Sequence, residues 1–160
     1  MNYSKEIIKS LKEYNPIIHT NKEKEYNWLK DNNCSIEIKN KDNDSLYIDL
    51  EDEITISYGL WHTHYYCEDK IDFEEALSTI ENILNNKECV LLIYCNKKLF
   101  GSGSEINKEK YTLEEAIDFI DAFFNKTSVI KLFQEYGANI KVNYWDKTKN
   151  YELFIDKEYF

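Results

Sequence analysis

Three short runs of strict alternation constrain this chain more than any other feature. Ile36 and Ile38 enclose Glu37; Leu46, Ile48 and Leu50 alternate with Tyr47 and Asp49; Ile54, Ile56 and Tyr58 alternate with Thr55 and Ser57. A period of two puts every apolar member on one side of a strand. The separators, residues 40–44 and 51–52, are polar and turn-like. Such a pattern predicts an antiparallel meander with one buried face, which needs a cover. Two amphipathic helices supply candidates. One presents Phe73, Ala76, Leu77, Ile80, Ile83 and Leu84, and the other Leu113, Ala116, Ile117, Ile120, Phe123 and Phe124. Asp72 with Glu75, and Thr112 with Glu115, have the spacing of capping boxes. Helices starting near Asp72 and Thr112 are therefore expected to lie over the meander.

The remaining chain fits one α+β domain spanning residues 1–160. Residues 4–14 read as a helix with Ile7, Ile8 and Leu11 on one stripe, stopped by Pro16. Residues 21–30 could form a second short helix. The apolar run from Cys89 to Cys95 suits a central strand, turned at residues 96–97 into a hairpin partner over 98–101. Gly101-Ser102-Gly103-Ser104 reads as a flexible turn. Residues 128–136 extend the helical region to Gly137, a C-terminal cap. Ile140, Val142 and Tyr144 pair in a closing hairpin with Tyr151, Leu153 and Ile155. The expected architecture is a mainly antiparallel sheet of about six to seven strands with helices on one face.

Charge narrows the function. Thirty acidic residues face twenty lysines, no arginine is present, and the net charge is −10. Phosphate backbones need a basic surface, so a nucleic-acid partner is not expected. A basic protein partner is compatible. No apolar stretch reaches the ~20 residues of a membrane helix, and the first residues lack the pattern of a signal peptide. The expected location is the cytoplasm, with no membrane partner. Cys34, Cys67, Cys89 and Cys95 form no C-x-x-C pair, so thiols rather than disulfides are expected.

One segment gathers rare side chains: Tyr58-Gly59-Leu60-Trp61-His62-Thr63-His64-Tyr65-Tyr66 holds two of the three histidines and one of three tryptophans. If the strand continues that far, His62 and His64 point to the same side. They could then be half of a zinc site completed by Cys67, Glu68, Asp69 or Asp72, with His62, His64 and Asp69 as the ligand set. Gly59, Trp61, His62 and His64 match in type the H-x-H strand of the JAMM metallopeptidases. Tyr65 stands where that motif has proline, and Asp72 and Glu75 stand where it has Ser-x-x-Asp. Cys67 sits among Glu68, Asp69 and Asp72, which would raise its pKa and blunt a nucleophile.

The tract from Glu53 to Tyr65 resembles one in small acidic bacterial proteins associated with polymorphic toxin systems. The likeness covers about residues 45–103: a strand, an aromatic-Gly-x-Trp-His-x-His-aromatic corner, a helix and a strand hairpin. The resemblance implies an immunity protein that neutralises a cognate toxin of basic surface by binding, with no chemistry and no cofactor. Trp61, His62, His64, Tyr65 and Tyr66 are the expected contact residues. The alternatives are a metal-dependent hydrolase using His62 and His64, or a structural or interaction protein of another kind.

Overall fold

A computed structural model describes residues 3–66, 70–106, 110, 112–124 and 128–160. The fold is α+β, with four α-helices and two antiparallel sheets among these residues. The expected single sheet of six to seven strands is instead one of five and one of four. By its contacts the chain forms two compact units, residues 1–82 and 83–160.

The first unit opens with helix α1 (Tyr3–Ser10), which runs on as a 3-10 turn over Leu11–Tyr14 and buries Ile7 and Leu11. Asn15 adopts a left-handed conformation just before Pro16. The chain then enters a strand that the alternation did not predict, β1 (Ile17–His19). Its β-branched pair follows a proline, which favours extended geometry. The helix expected over residues 21–30 is reduced to a 3-10 turn at Lys24–Tyr26.

The meander forms as expected: β2 (Cys34–Lys39), β3 (Ser45–Leu50) and β4 (Ile54–Tyr58) pair in sequence. The condition set for the histidine pair, that the strand of residues 54–58 runs on through residue 64, is not met. Gly59, at φ 62°, and Leu60 make a two-residue reversal, and β5 (Trp61–Tyr65) runs back along β4. Glycine at the first central position suits the turns that match strand twist. The sheet order is β1-β2-β3-β4-β5. Ile36 and Ile38, Leu46, Ile48 and Leu50, and Ile54, Ile56 and Tyr58 are buried, as is Trp61 across from Tyr58.

Helix α2 (Lys70–Leu84) buries Phe73, Ala76, Ile80 and Ile83. Within the first unit, the Tyr65 hydroxyl and Thr79 Oγ1 lie 2.8 Å apart, tying β5 to the helix. The helix is already formed at Lys70, so Asp72 stands in its first turn and not at its cap.

The second unit is a sheet of order β7-β6-β8-β9, formed by β6 (Glu88–Cys95), β7 (Lys98–Ile106), β8 (Ala138–Asn143) and β9 (Tyr151–Ile155). Helix α3 (Leu113–Phe124) has the expected capping box. The Glu115 N–H donates to Thr112 Oγ1 at 3.2 Å, and Glu115 Oε2 accepts from the Thr112 N–H at 2.8 Å. Its face does not serve the meander. Ala116, Ile120 and Phe124 join a core with Leu91, Ile93, Ile140 and Val142, closed by Phe133 of α4 (Ile130–Tyr136). The helix is amphipathic in sequence, but periodicity does not say which sheet it serves. Gly137 caps α4 at φ 71°, where a Cβ would come within 2.6 Å of the Ile155 carbonyl oxygen.

The stretch expected to be a flexible turn, residues 101–104, lies inside β7. A Cβ on Gly101 would meet Phe124 Cζ at 2.8 Å, and one on Gly103 would meet Phe119 Cζ at 2.9 Å. These glycines are seats for aromatic rings, a use of glycine where a neighbour approaches the strand closely.

Candidate functional site

The candidate site is the second face of the five-stranded sheet, opposite the buried one. Pairing register builds it from two cross-strand rows. One runs Ile17–Glu37–Tyr47–Ser57–His62, and the other His19–Ser35–Asp49–Thr55–His64. Directly paired residues project to the same face, so all three histidines of the chain share it. At ~4.8 Å per strand the row from His19 to His64 spans about 19 Å, too far for one metal ion to use both ends.

At the β5 end, His62 and His64 are exposed, with ring centroids 5.2 Å apart in an edge-on arrangement. His64 Nδ1 lies 2.7 Å from Glu53 Oε1 and 3.1 Å from Thr55 Oγ1. The alternation of β5 thus delivers the same-side pair, although by a reversal of the chain. The proposed third ligand Asp69 lies outside the described residues, as do Cys67 and Glu68. Among the described residues no group of three His, Cys, Asp or Glu has the arrangement of a metal site.

The structure divides the five expected contact residues. Trp61 is 5% exposed and belongs to the buried face. Tyr65 is half-buried, its hydroxyl on Thr79. Tyr66 is exposed, as are His62 and His64. Only the last three are available to a partner without rearrangement.

The β1 end holds a network that sequence reasoning missed. His19 Nδ1 is 2.7 Å from Glu23 Oε2, and its Nε2 is 3.2 Å from Glu37 Oε2. The buried Glu37 also accepts from the Ser45 hydroxyl at 2.6 Å and the Tyr47 hydroxyl at 3.1 Å, both on Oε1. Tyr26 stacks on the His19 ring at 4.0 Å and 5°. Burial acts to raise the Glu37 pKa, but hydrogen bonds from Ser45, His19 and Tyr47 outweigh it and hold the pKa below its ordinary value. Burial likewise opposes protonation of His19, yet its hydrogen bonds to Glu23 and Glu37 raise its pKa. The signal that could have found this network was the pair Ile17-Ile18 after Pro16, an extended segment able to carry His19 against Glu37.

Three described thiols, Cys34, Cys89 and Cys95, are buried and free. Burial pushes Cys89 up to about 11, which keeps it protonated and unsuited to attack.

Charge is distributed unevenly. Residues 1–82 contain eighteen acidic residues and nine lysines, a net −9, while residues 83–160 contain twelve and eleven, a net −1. The acidity of the chain is therefore a property of the unit that carries the histidine face. No helix among the described residues is long and apolar enough to cross a membrane. No protein-family model matches the chain, and no curated protein or solved structure is significantly similar to it.

Proposed function

We propose that the chain is a non-enzymatic binding protein of the polymorphic-toxin immunity type, which neutralises a cognate toxin domain of basic surface by direct contact through residues 1–82. The observation that carries this reading is the concentration of nine of the ten net negative charges in that unit. A surface so charged steers a basic partner during encounter, and adjacent polar and aromatic groups confer register once contact is made. His62, His64 and Tyr66 are exposed beside one another in sequence at the β5 end and are the contact residues of this reading. Exposed imidazoles next to Glu53 and Thr55 offer hydrogen-bonding groups to a partner without a rearranged core.

The test is co-expression with the toxin domain encoded beside this chain's own gene. Protection is expected. It should be lost in a His62→Ala, His64→Ala, Tyr66→Ala triple variant that still folds, and association of the purified pair should slow with added salt. Absence of protection by the unaltered chain, or full protection by the triple variant, would defeat the proposal.

A further inference from the structure

Two imidazoles stand side by side on the outer strand of the five-stranded sheet. His62 and His64 flank Thr63 on β5, so both project from the same face, and both are exposed. Across the strand pair they stand opposite Ser57 and Thr55, whose side chains are too short to cover the rings. His19, the third histidine, is a different case. Its Nδ1 and Nε2 lie 2.7 Å from Glu23 and 3.2 Å from Glu37, so neither nitrogen is open to a ligand.

The hydrogen bond at His64 fixes which of its nitrogens carries the proton. Nδ1 lies 2.7 Å from Glu53 Oε1. A carboxylate only accepts, so Nδ1 is the N–H donor and the neutral ring keeps its lone pair on Nε2. Thr55 Oγ1, 3.1 Å from the same nitrogen, can donate to Glu53 Oε1 at 3.5 Å. Imidazoles that ligate metals are held in this way: the far nitrogen donates to a carboxylate, which sets the tautomer and makes the ligating nitrogen more basic. The spacing of the rings agrees. With nitrogen–metal bonds of ~2.1 Å, an ion lies about 3.2 Å from each ring centroid, and a tetrahedral angle then sets the centroids about 5.2 Å apart. The centroids of His62 and His64 are 5.2 Å apart. His62 needs only to turn about its own side-chain bonds to aim a nitrogen at the same point, and its exposure permits that.

We propose that His62 and His64 chelate a divalent transition-metal ion of the zinc kind through one nitrogen each, Nε2 in the case of His64, with Glu53 as the positioning residue behind His64. Imidazole suits zinc, copper and nickel, whereas magnesium and calcium call for oxygen donors. The net charge of −9 on residues 1–82 draws cations of any kind to this unit, and the imidazole pair selects among them. No third protein ligand completes the pair among the described residues, so the ion keeps water in its remaining positions. The inference concerns the purified chain and needs no partner. Its failure leaves the toxin-binding reading standing, because that reading uses the same imidazoles as hydrogen-bonding groups.

The experiment is an NMR titration of the metal-free full chain with zinc chloride at neutral pH and, separately, with magnesium chloride. Zinc should move the ring signals of His62 and His64 saturably, with a Kd of ~0.1 mM or tighter, and leave those of His19 in place. Magnesium should move none of them. His62→Ala and His64→Ala should each weaken zinc binding about tenfold or more, because two donors on one strand act as a chelate and one does not. Glu53→Ala should weaken it roughly tenfold, as loss of a carboxylate behind a ligating histidine does. Absence of saturable zinc shifts at both rings, an equal response to magnesium, or undiminished zinc affinity in any of these variants would each overturn the proposal. The zinc–magnesium comparison on the unaltered chain stands even if a variant fails to fold.

Discussion

His19 Nε2 lies 3.2 Å from Glu37 Oε2, joining the short edge strand β1 to β2 on the sheet face that carries the histidines. The same imidazole reaches Glu23 through Nδ1, so its protonated form donates to two carboxylates at once. This pairing makes stability depend on pH in a direction that can be worked out. The His19 pKa is raised above its ordinary 6.5, so its contribution is complete below 6.5 and is lost as pH rises through the raised value. The Glu37 pKa is lowered below its ordinary 4.5, so its contribution is present above 4.5 and is lost as pH falls through the lowered value. The network is strongest between those limits. His19→Gln should flatten the fall in Tm that the unaltered chain shows as pH rises above 6.5, at a cost of about 1–3 kcal/mol within the window. Parallel Tm profiles for the two proteins would show that the network does not couple to folding.

The glycines of β7 give a graded prediction. Phe124, which faces Gly101, is buried and held by Phe133 at a centroid distance of 5.4 Å. Phe119, which faces Gly103, is only half-buried. Gly101→Ala should therefore destabilise by ~1–3 kcal/mol, the usual cost of overpacking, and Gly103→Ala by less. Urea denaturation of both variants measures this. A larger loss at position 103 would contradict the assignment of rigidity.

Trp61 and Tyr66 should separate cleanly. Trp61 is 5% exposed and Tyr66 69%. Trp61→Ala should cost about 3–5 kcal/mol, as large-to-small aromatic changes in a core do. Tyr66→Ala should change stability by no more than ~0.5 kcal/mol. Thermal unfolding followed by circular dichroism reads both, and a mild effect at Trp61 would place that ring outside the core.

The β6–β7 turn carries removable strain. Asn96 and Lys97 both have positive φ, at 45° and 65°. Asparagine tolerates this conformation, whereas lysine does so at a cost. Lys97→Gly should stabilise the protein by about 1 kcal/mol, matching the Asn-Gly preference of such hairpin turns. An unchanged or lowered denaturation midpoint would mean that the Lys97 side chain makes compensating contacts.

By itself the sequence determined the local elements. Alternation at 36–38, 46–50 and 54–58 set the meander and its buried face, because a slip of one residue would expose every isoleucine. The Thr112–Glu115 capping box set the start of α3, since both partners lie within one turn of each other. Such features depend only on neighbours along the chain. What tertiary structure decided was partnership between distant segments. Apolar periodicity made α3 amphipathic but could not say that Ile120 would meet Leu91 and Val142 and not the meander. Glycine spacing in residues 101–104 looked like a turn because the rings of Phe119 and Phe124 that fill those gaps come from another element. Likewise Glu37 is one polar residue in an alternating strand until β1 brings His19 against it across eighteen positions. Charge followed the same division: the net −10 was countable at once, but its concentration at −9 in residues 1–82 has meaning only because contacts draw the boundary there.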